Sequence, residues 1–145
     1  MKETAYVRSN YRPPEIEHRY GPNVHLLDDP LAWTRLARFS AQDTRQPEVG
    51  RLLRELYEPL AHAVVAAELP RARFDVPTRM VTSSPQAAVV RTAGIATNTR
   101  VVTVGIARAG TIPSQIVYDL LNGLLDPSCV RQDHLFMSRT TDSQG

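Results

Sequence analysis

The feature that most limits the fold is the run Val101-Val102-Thr103-Val104-Gly105-Ile106, which leads through Ala107-Arg108-Ala109-Gly110 into a helical apolar pattern. A short β-branched run without polar alternation predicts a strand buried on both faces, as in a parallel sheet. Ile116, Val117, Leu120, Leu121 and Leu124 then recur at helical spacing, which predicts a helix over residues 113–125, and a second strand is predicted over residues 130–137. Strand, loop, helix and strand in that order form a β-α-β unit, whose crossover is right-handed. The fold class is therefore α/β, a parallel sheet with flanking helices.

Upstream the organisation differs. Residues 1–24 contain Arg12-Pro13-Pro14 and Gly21-Pro22 and show neither period, so they form an N-terminal extended arm ahead of one domain over residues 25–145. Tyr6, Tyr11, His18, Tyr20 and His25 give the arm surfaces for packing on its own domain or on a partner; a loose tail is the alternative. A short helix is expected from Asp29-Pro30, capped by Asp28 or Asp29, with Leu31, Leu36, Phe39 and Trp33 as its packing residues. A longer helix is expected from about residue 47 to 69. Its stripe is Val49, Leu52, Leu53, Leu56, Leu60 and Val64, its cap lies at Asp43-Thr44, and Pro59 should kink or break it. Phe74-Asp75-Val76, Met80-Val81-Thr82 and Ala88-Val89-Val90 read as short strands, and Thr92-Ala93-Gly94-Ile95-Ala96-Thr97 as a loop.

Composition excludes several classes. Acids and bases nearly balance at a net charge of +2, and no basic tract occurs, so the pI near 9.0 is not a nucleic-acid signature. One cysteine, Cys129, permits no internal disulfide, and a structural thiol in a loop is its expected role; a reducing compartment, the cytoplasm, follows. His18, His25, His62 and His134 fall at no metal-ligand spacing. The first 20 residues lack the apolar run of a signal peptide, and Ala63-Val64-Val65-Ala66-Ala67 is far shorter than the roughly 20 residues that cross a bilayer, so no membrane role is expected.

The chemistry is expected at the loop after the parallel strand, where α/β folds bind anions beside a helix N-terminus. Gly110 permits close backbone approach there, and Arg108 offers a fork of donors matched to phosphate oxygens. Spacing alone also fits a surface arginine in a loop that leads a helix.

The motif Val104-Gly105-Ile106-Ala107-Arg108-Ala109-Gly110 resembles the V-P-I-L-R-A-G strand and loop of uracil phosphoribosyltransferases. Leu26-Leu27-Asp28-Asp29-Pro30-Leu31 resembles the family's opening helix, Gln42-Asp43-Thr44 with the long helix resembles its T-x-x-F-R-x-L segment, and Leu135-Phe136-Met137-Ser138-Arg139-Thr140-Thr141 resembles its G-x-Y-R-x-E-E-T strand and loop. The matches keep their order over residues 24–141. The resemblance implies a partial phosphoribosyltransferase-like parallel sheet in which Arg108, Ala109, Gly110 and Arg139 bind the pyrophosphate of phosphoribosyl pyrophosphate, with Arg108 catalytic. Departures are Gly105 for proline, Ala107 for leucine, and Thr140-Thr141-Asp142 for the acidic pair.

The family's ribose-phosphate motif, an acidic strand end followed by A-T-G-G-S, is not in these 145 residues, and neither is its uracil pocket. The resemblance therefore implies one subunit of a hetero-oligomeric enzyme, inactive alone. It would transfer ribose 5-phosphate to a uracil-like or other heterocyclic base once a second polypeptide supplies the ribose-phosphate loop and the base pocket. Nucleotide salvage and nucleoside natural-product biosynthesis are both open as its setting. Magnesium would arrive with the phosphoribosyl pyrophosphate, held by substrate oxygens and water. The alternative is a non-catalytic regulatory or stabilising partner of a phosphoribosyltransferase.

Overall fold

The computed structural model describes residues 11–83 and 88–137. Its elements, in chain order, are α1 (Pro30–Phe39), α2 (Glu48–Glu68), β1 (Arg71–Pro77), β2 (Val89–Ile95), β3 (Val101–Ala107), α3 (Thr111–Leu124) and β4 (Val130–Phe136). The chain is mixed α/β and forms two compact units, one of Met1–Asp28 with Ala63–Thr97 and the other of Asp29–His62 with Asn98–Gly145. The division falls within the sequence of α2, between His62 and Ala63.

In the first unit, the arm turns back on itself. Ile16 N–H donates to Leu26 O at 2.8 Å and Asp28 N–H to Pro14 O at 2.9 Å, which pairs Glu15 with Leu27. The His25 ring lies 2.9 Å from the Glu15 carboxylate across that pair. Strands β1 and β2 pair antiparallel from Arg71 opposite Ile95 to Pro77 opposite Val89. Two sequence expectations fail here. Thr92 to Ile95 are ladder residues of β2 rather than loop, with the Phe74 ring lying across Gly94. Met80-Val81-Thr82 belongs to a 3-10 turn, Arg79–Thr82, because the Thr78 hydroxyl accepts from Met80 N–H and caps it. Among the described residues, the buried apolar ones of this unit are small: Ala63, Val65, Ala88 and Ala96.

The second unit begins with α1. Asp29 is its N-cap, accepting from Leu31 N–H at 2.9 Å and Ala32 N–H at 3.2 Å, and Pro30 occupies the first turn, as expected. The expected packing residues are otherwise disposed: Leu31, Trp33 and Leu36 are each more than half exposed. Thr44 was expected to cap the next helix and instead closes this one, its hydroxyl donating to Arg38 O. Arg38 binds both oxygens of Asp43, at 2.9 and 3.0 Å, and grips Glu48 at the start of α2 through Nε at 3.0 Å and Nη2 at 2.7 Å. Arg35 adds an ion pair to Glu55 at 3.0 Å. The α1–α2 join is thus ionic. Helix α2 remains continuous through Pro59. Of its apolar stripe, Leu52 is buried at 2% exposure, whereas Leu60 and Val64 are exposed.

Strands β3 and β4 are parallel, in register from Val101 opposite Val130 to Ala107 opposite Phe136, and α3 packs on both. Among the described residues, Ile116 and Leu121 of α3, with Leu125 and Val130 after it, are the unit's buried apolar residues beside Leu52 and Ala61. The expected burial of β3 on both faces is not met. Thr103 and Gly105 are buried, while Val102, Val104 and Ile106 on the opposite face are 49%, 52% and 51% exposed. The reason is topological, since α3 covers one face of this two-stranded sheet.

Candidate functional site

The loop under consideration leaves β3 at its carboxyl end and enters α3 within four residues. Arg108 and Ala109 are exposed, and Gly110 is the half-buried N-cap of α3. The Ala107–Arg108 peptide bond is cis. Gly110 N–H donates to Ile106 O at 2.9 Å, and Thr111 N–H to Arg108 O at 3.2 Å, so the loop folds tightly onto the strand end. This closeness requires glycine. A Cβ on Gly110 would stand 2.7 Å from Ile106 O and 2.8 Å from Ile106 N, backbone atoms that cannot move aside. No side chain caps the helix at this position.

Arg108 thus projects from the carboxyl edge of a parallel strand pair, next to the positive end of a helix of 14 residues. Arg108, Ala109 and Gly110 are the three consecutive residues of this loop. Arg139, with Thr140 and Thr141, lies outside the described residues. Strand β4 runs parallel to β3 and ends beside the same edge.

Beneath the loop lies a polar seam that sequence reading missed. Ser114, one turn into α3, is buried at 9% exposure, and its hydroxyl donates to Thr111 O at 3.1 Å while accepting from Gln132 Nε2 of β4 at 3.4 Å. Gly105 of β3 lies directly under it. A Cβ there would stand 2.5 Å from Ser114 Oγ and 3.0 Å from His134 Nδ1. The sequence signal was Gly105 itself, a glycine inside a β-branched run, which marks a close approach by a neighbouring element. Thr103, two residues before it, is buried at 8% exposure and its hydroxyl finds no hydrogen-bond partner.

His62 is exposed on α2, His134 sits at the sheet beside Gly105, and Cys129 is half-buried in the 3-10 turn Pro127–Cys129 that leads into β4. Asp126 caps that turn by accepting from the Ser128 backbone N–H at 2.9 Å and the Ser128 hydroxyl at 2.8 Å, bonds that hold its carboxyl below the usual carboxylate range. Among the described residues, no group of three His, Cys, Asp or Glu side chains converges to hold a metal, and no helix is long and apolar enough to cross a membrane. No family model matches the chain, and no curated protein matches it.

Proposed function

We propose that this chain supplies the pyrophosphate-binding loop of a phosphoribosyltransferase-like enzyme whose ribose-phosphate loop and base pocket come from a second polypeptide. The observation that carries the reading is the exposed Arg108 on a glycine-tightened loop, between the carboxyl end of a parallel strand and a helix N-terminus. The order of matched motifs along the sequence supports it.

The chemistry asked of such a loop is electrostatic. In phosphoribosyl transfer the C1–O bond to pyrophosphate breaks while a C1–N bond to the base forms, and negative charge grows on the departing pyrophosphate. A guanidinium meets that charge with paired N–H donors, and fixed donors of this kind act most strongly on charge that develops in the transition state. A magnesium ion travelling with the substrate would take its ligands from substrate oxygens and water. That agrees with a loop whose ionisable side chain is cationic. The half-exposed face of Val102, Val104 and Ile106 favours a partner, because parallel sheets are ordinarily covered on both sides.

The test is to co-produce the chain with the products of its neighbouring reading frames, purify any complex and assay nucleotide formation from phosphoribosyl pyrophosphate and uracil or related bases. The chain alone should show no turnover. In an active complex, Arg108→Ala should leave assembly intact and lower the rate on the order of 10²–10³-fold, and Arg108→Lys should recover part of it. Full activity in the Arg108→Ala complex would remove the role given to Arg108. Assembly without any transferase activity would favour the regulatory alternative.

A further inference from the structure

Three hydrogen-bonding groups and one glycine connect β4, α3 and β3 directly below the Arg108 loop. Gln132 Nε2 donates to Ser114 Oγ at 3.4 Å, and Ser114 Oγ donates to Thr111 O at 3.1 Å. Ser114 N–H donates to Gly110 O at 3.0 Å, so one residue holds both the N-cap and the first residue of α3. The relay exists because Gly105 has no side chain, since a Cβ would occupy the space of the Ser114 hydroxyl. The run of contacts therefore fixes how near the first turn of α3 comes to β3, and from which side β4 braces it.

We infer that Ser114 is the positioning residue of the anion loop: it sets the placement of Gly110 and Thr111, and through them of Arg108, and it ties that placement to β4. This inference rests on the proposed anion-binding reading for its functional consequence, but the relay itself can be tested without any anion. Ser114 is buried and its hydroxyl is engaged on both sides, so it acts through the loop backbone without touching the ligand. An alanine there keeps the close approach over Gly105 and removes only the relay. A threonine keeps the hydroxyl. Gln132→Met removes the donor from β4 at similar side-chain length.

Two measurements on the full-length chain separate the alternatives, with thermal melts confirming that each variant folds. The first is amide hydrogen exchange in the free protein at Gly110, Thr111 and Ser114. Ser114→Ala and Gln132→Met should speed exchange there by roughly 3- to 10-fold, the equivalent of about one hydrogen bond, with Ser114→Thr near the parent rate. Unchanged exchange in both variants overturns the inference. The second is titration with inorganic pyrophosphate, followed by the shifts of the same amides. If the parent binds, Ser114→Ala should weaken binding by a similar roughly 3- to 10-fold while Ser114→Thr restores it, and equal affinity in parent and Ser114→Ala overturns the inference. A parent that does not respond to pyrophosphate refutes the anion reading, and the exchange data still decide the relay.

Discussion

Replacing Thr103 with valine should make the protein more stable. Thr103 lies on the α3-covered face of β3, is 8% exposed, and its Oγ1 has no hydrogen-bond partner. A hydroxyl taken out of water without a partner costs about 1–3 kcal/mol by mutational measurement. Valine has nearly the same shape, keeps the β-branching that suits a strand, and carries no polar atom. The gain should therefore be about 1–3 kcal/mol, and each kcal/mol raises the melting temperature by roughly 2–4 °C in a chain of this size. Urea denaturation, read by circular dichroism and by the fluorescence of the single tryptophan Trp33, which lies in the same unit, measures the change. Thr103→Ser is the control, since it keeps the orphaned hydroxyl and deletes a methyl group, and it should destabilise. A Thr103→Val protein less stable than the parent refutes the reasoning, because that outcome requires the hydroxyl to be making a favourable bond.

Leu52→Ala should cost about 2–5 kcal/mol in urea denaturation, as a buried leucine does, and Leu53→Ala clearly less because Leu53 is only half-buried. Asp43 and Glu48 are held below the usual carboxylate range, chiefly by hydrogen bonds from Arg38. A carboxylate depressed in the folded state stabilises fully above its unfolded pKa and loses that contribution as pH falls through its folded pKa. The melting temperature should therefore decline on acidification below the ordinary values of 3.8 for Asp43 and 4.5 for Glu48, and Arg38→Gln should flatten that part of the profile. An unchanged acid limb in Arg38→Gln would show that the pairing does not hold in solution.

The β3–α3–β4 unit was legible because its signals are local. A β-branched run over residues 101–106 became Val101–Ala107, a 3.6-residue period over residues 113–125 became Thr111–Leu124, and the strand expected over 130–137 became Val130–Phe136. What failed depends on residues distant in sequence or on competing local bonds. Arg38 reaches Asp43 and Glu48, at separations of 5 and 10, and no periodicity announces such a fork. Thr78 turned Met80-Val81-Thr82 into a 3-10 turn because one side-chain hydrogen bond satisfied the backbone before a ladder did. At the candidate site, the placement of Arg108 and Gly110 in a loop between a strand and a helix was legible from the sequence pattern. The Ser114–Gln132 bond joins residues 18 apart and was visible only through its consequence, the glycine at position 105.

The same β3 run explains why the sequence pointed to a sheet with two covered faces although α3 covers one. Register places Val102, Val104 and Ile106 on a common face with Arg131, Asp133 and Leu135, and the apolar members of that face are each about half exposed. Arg131 and Asp133 pair with each other there at 2.6 Å, so the face presents hydrocarbon with its two charges neutralised. Arg108 follows the last residue of β3. It leaves the sheet at the carboxyl edge, where side chains from the strand faces no longer alternate and a helix end begins. A layer placed over Val102, Val104 and Ile106 would complete the burial that their sequence pattern demands and still leave the carboxyl edge open to an anion. Under the proposed function, a charged substitution at Val104 should weaken co-purification of the complex, while Arg108→Ala should leave co-purification intact and lower nucleotide formation.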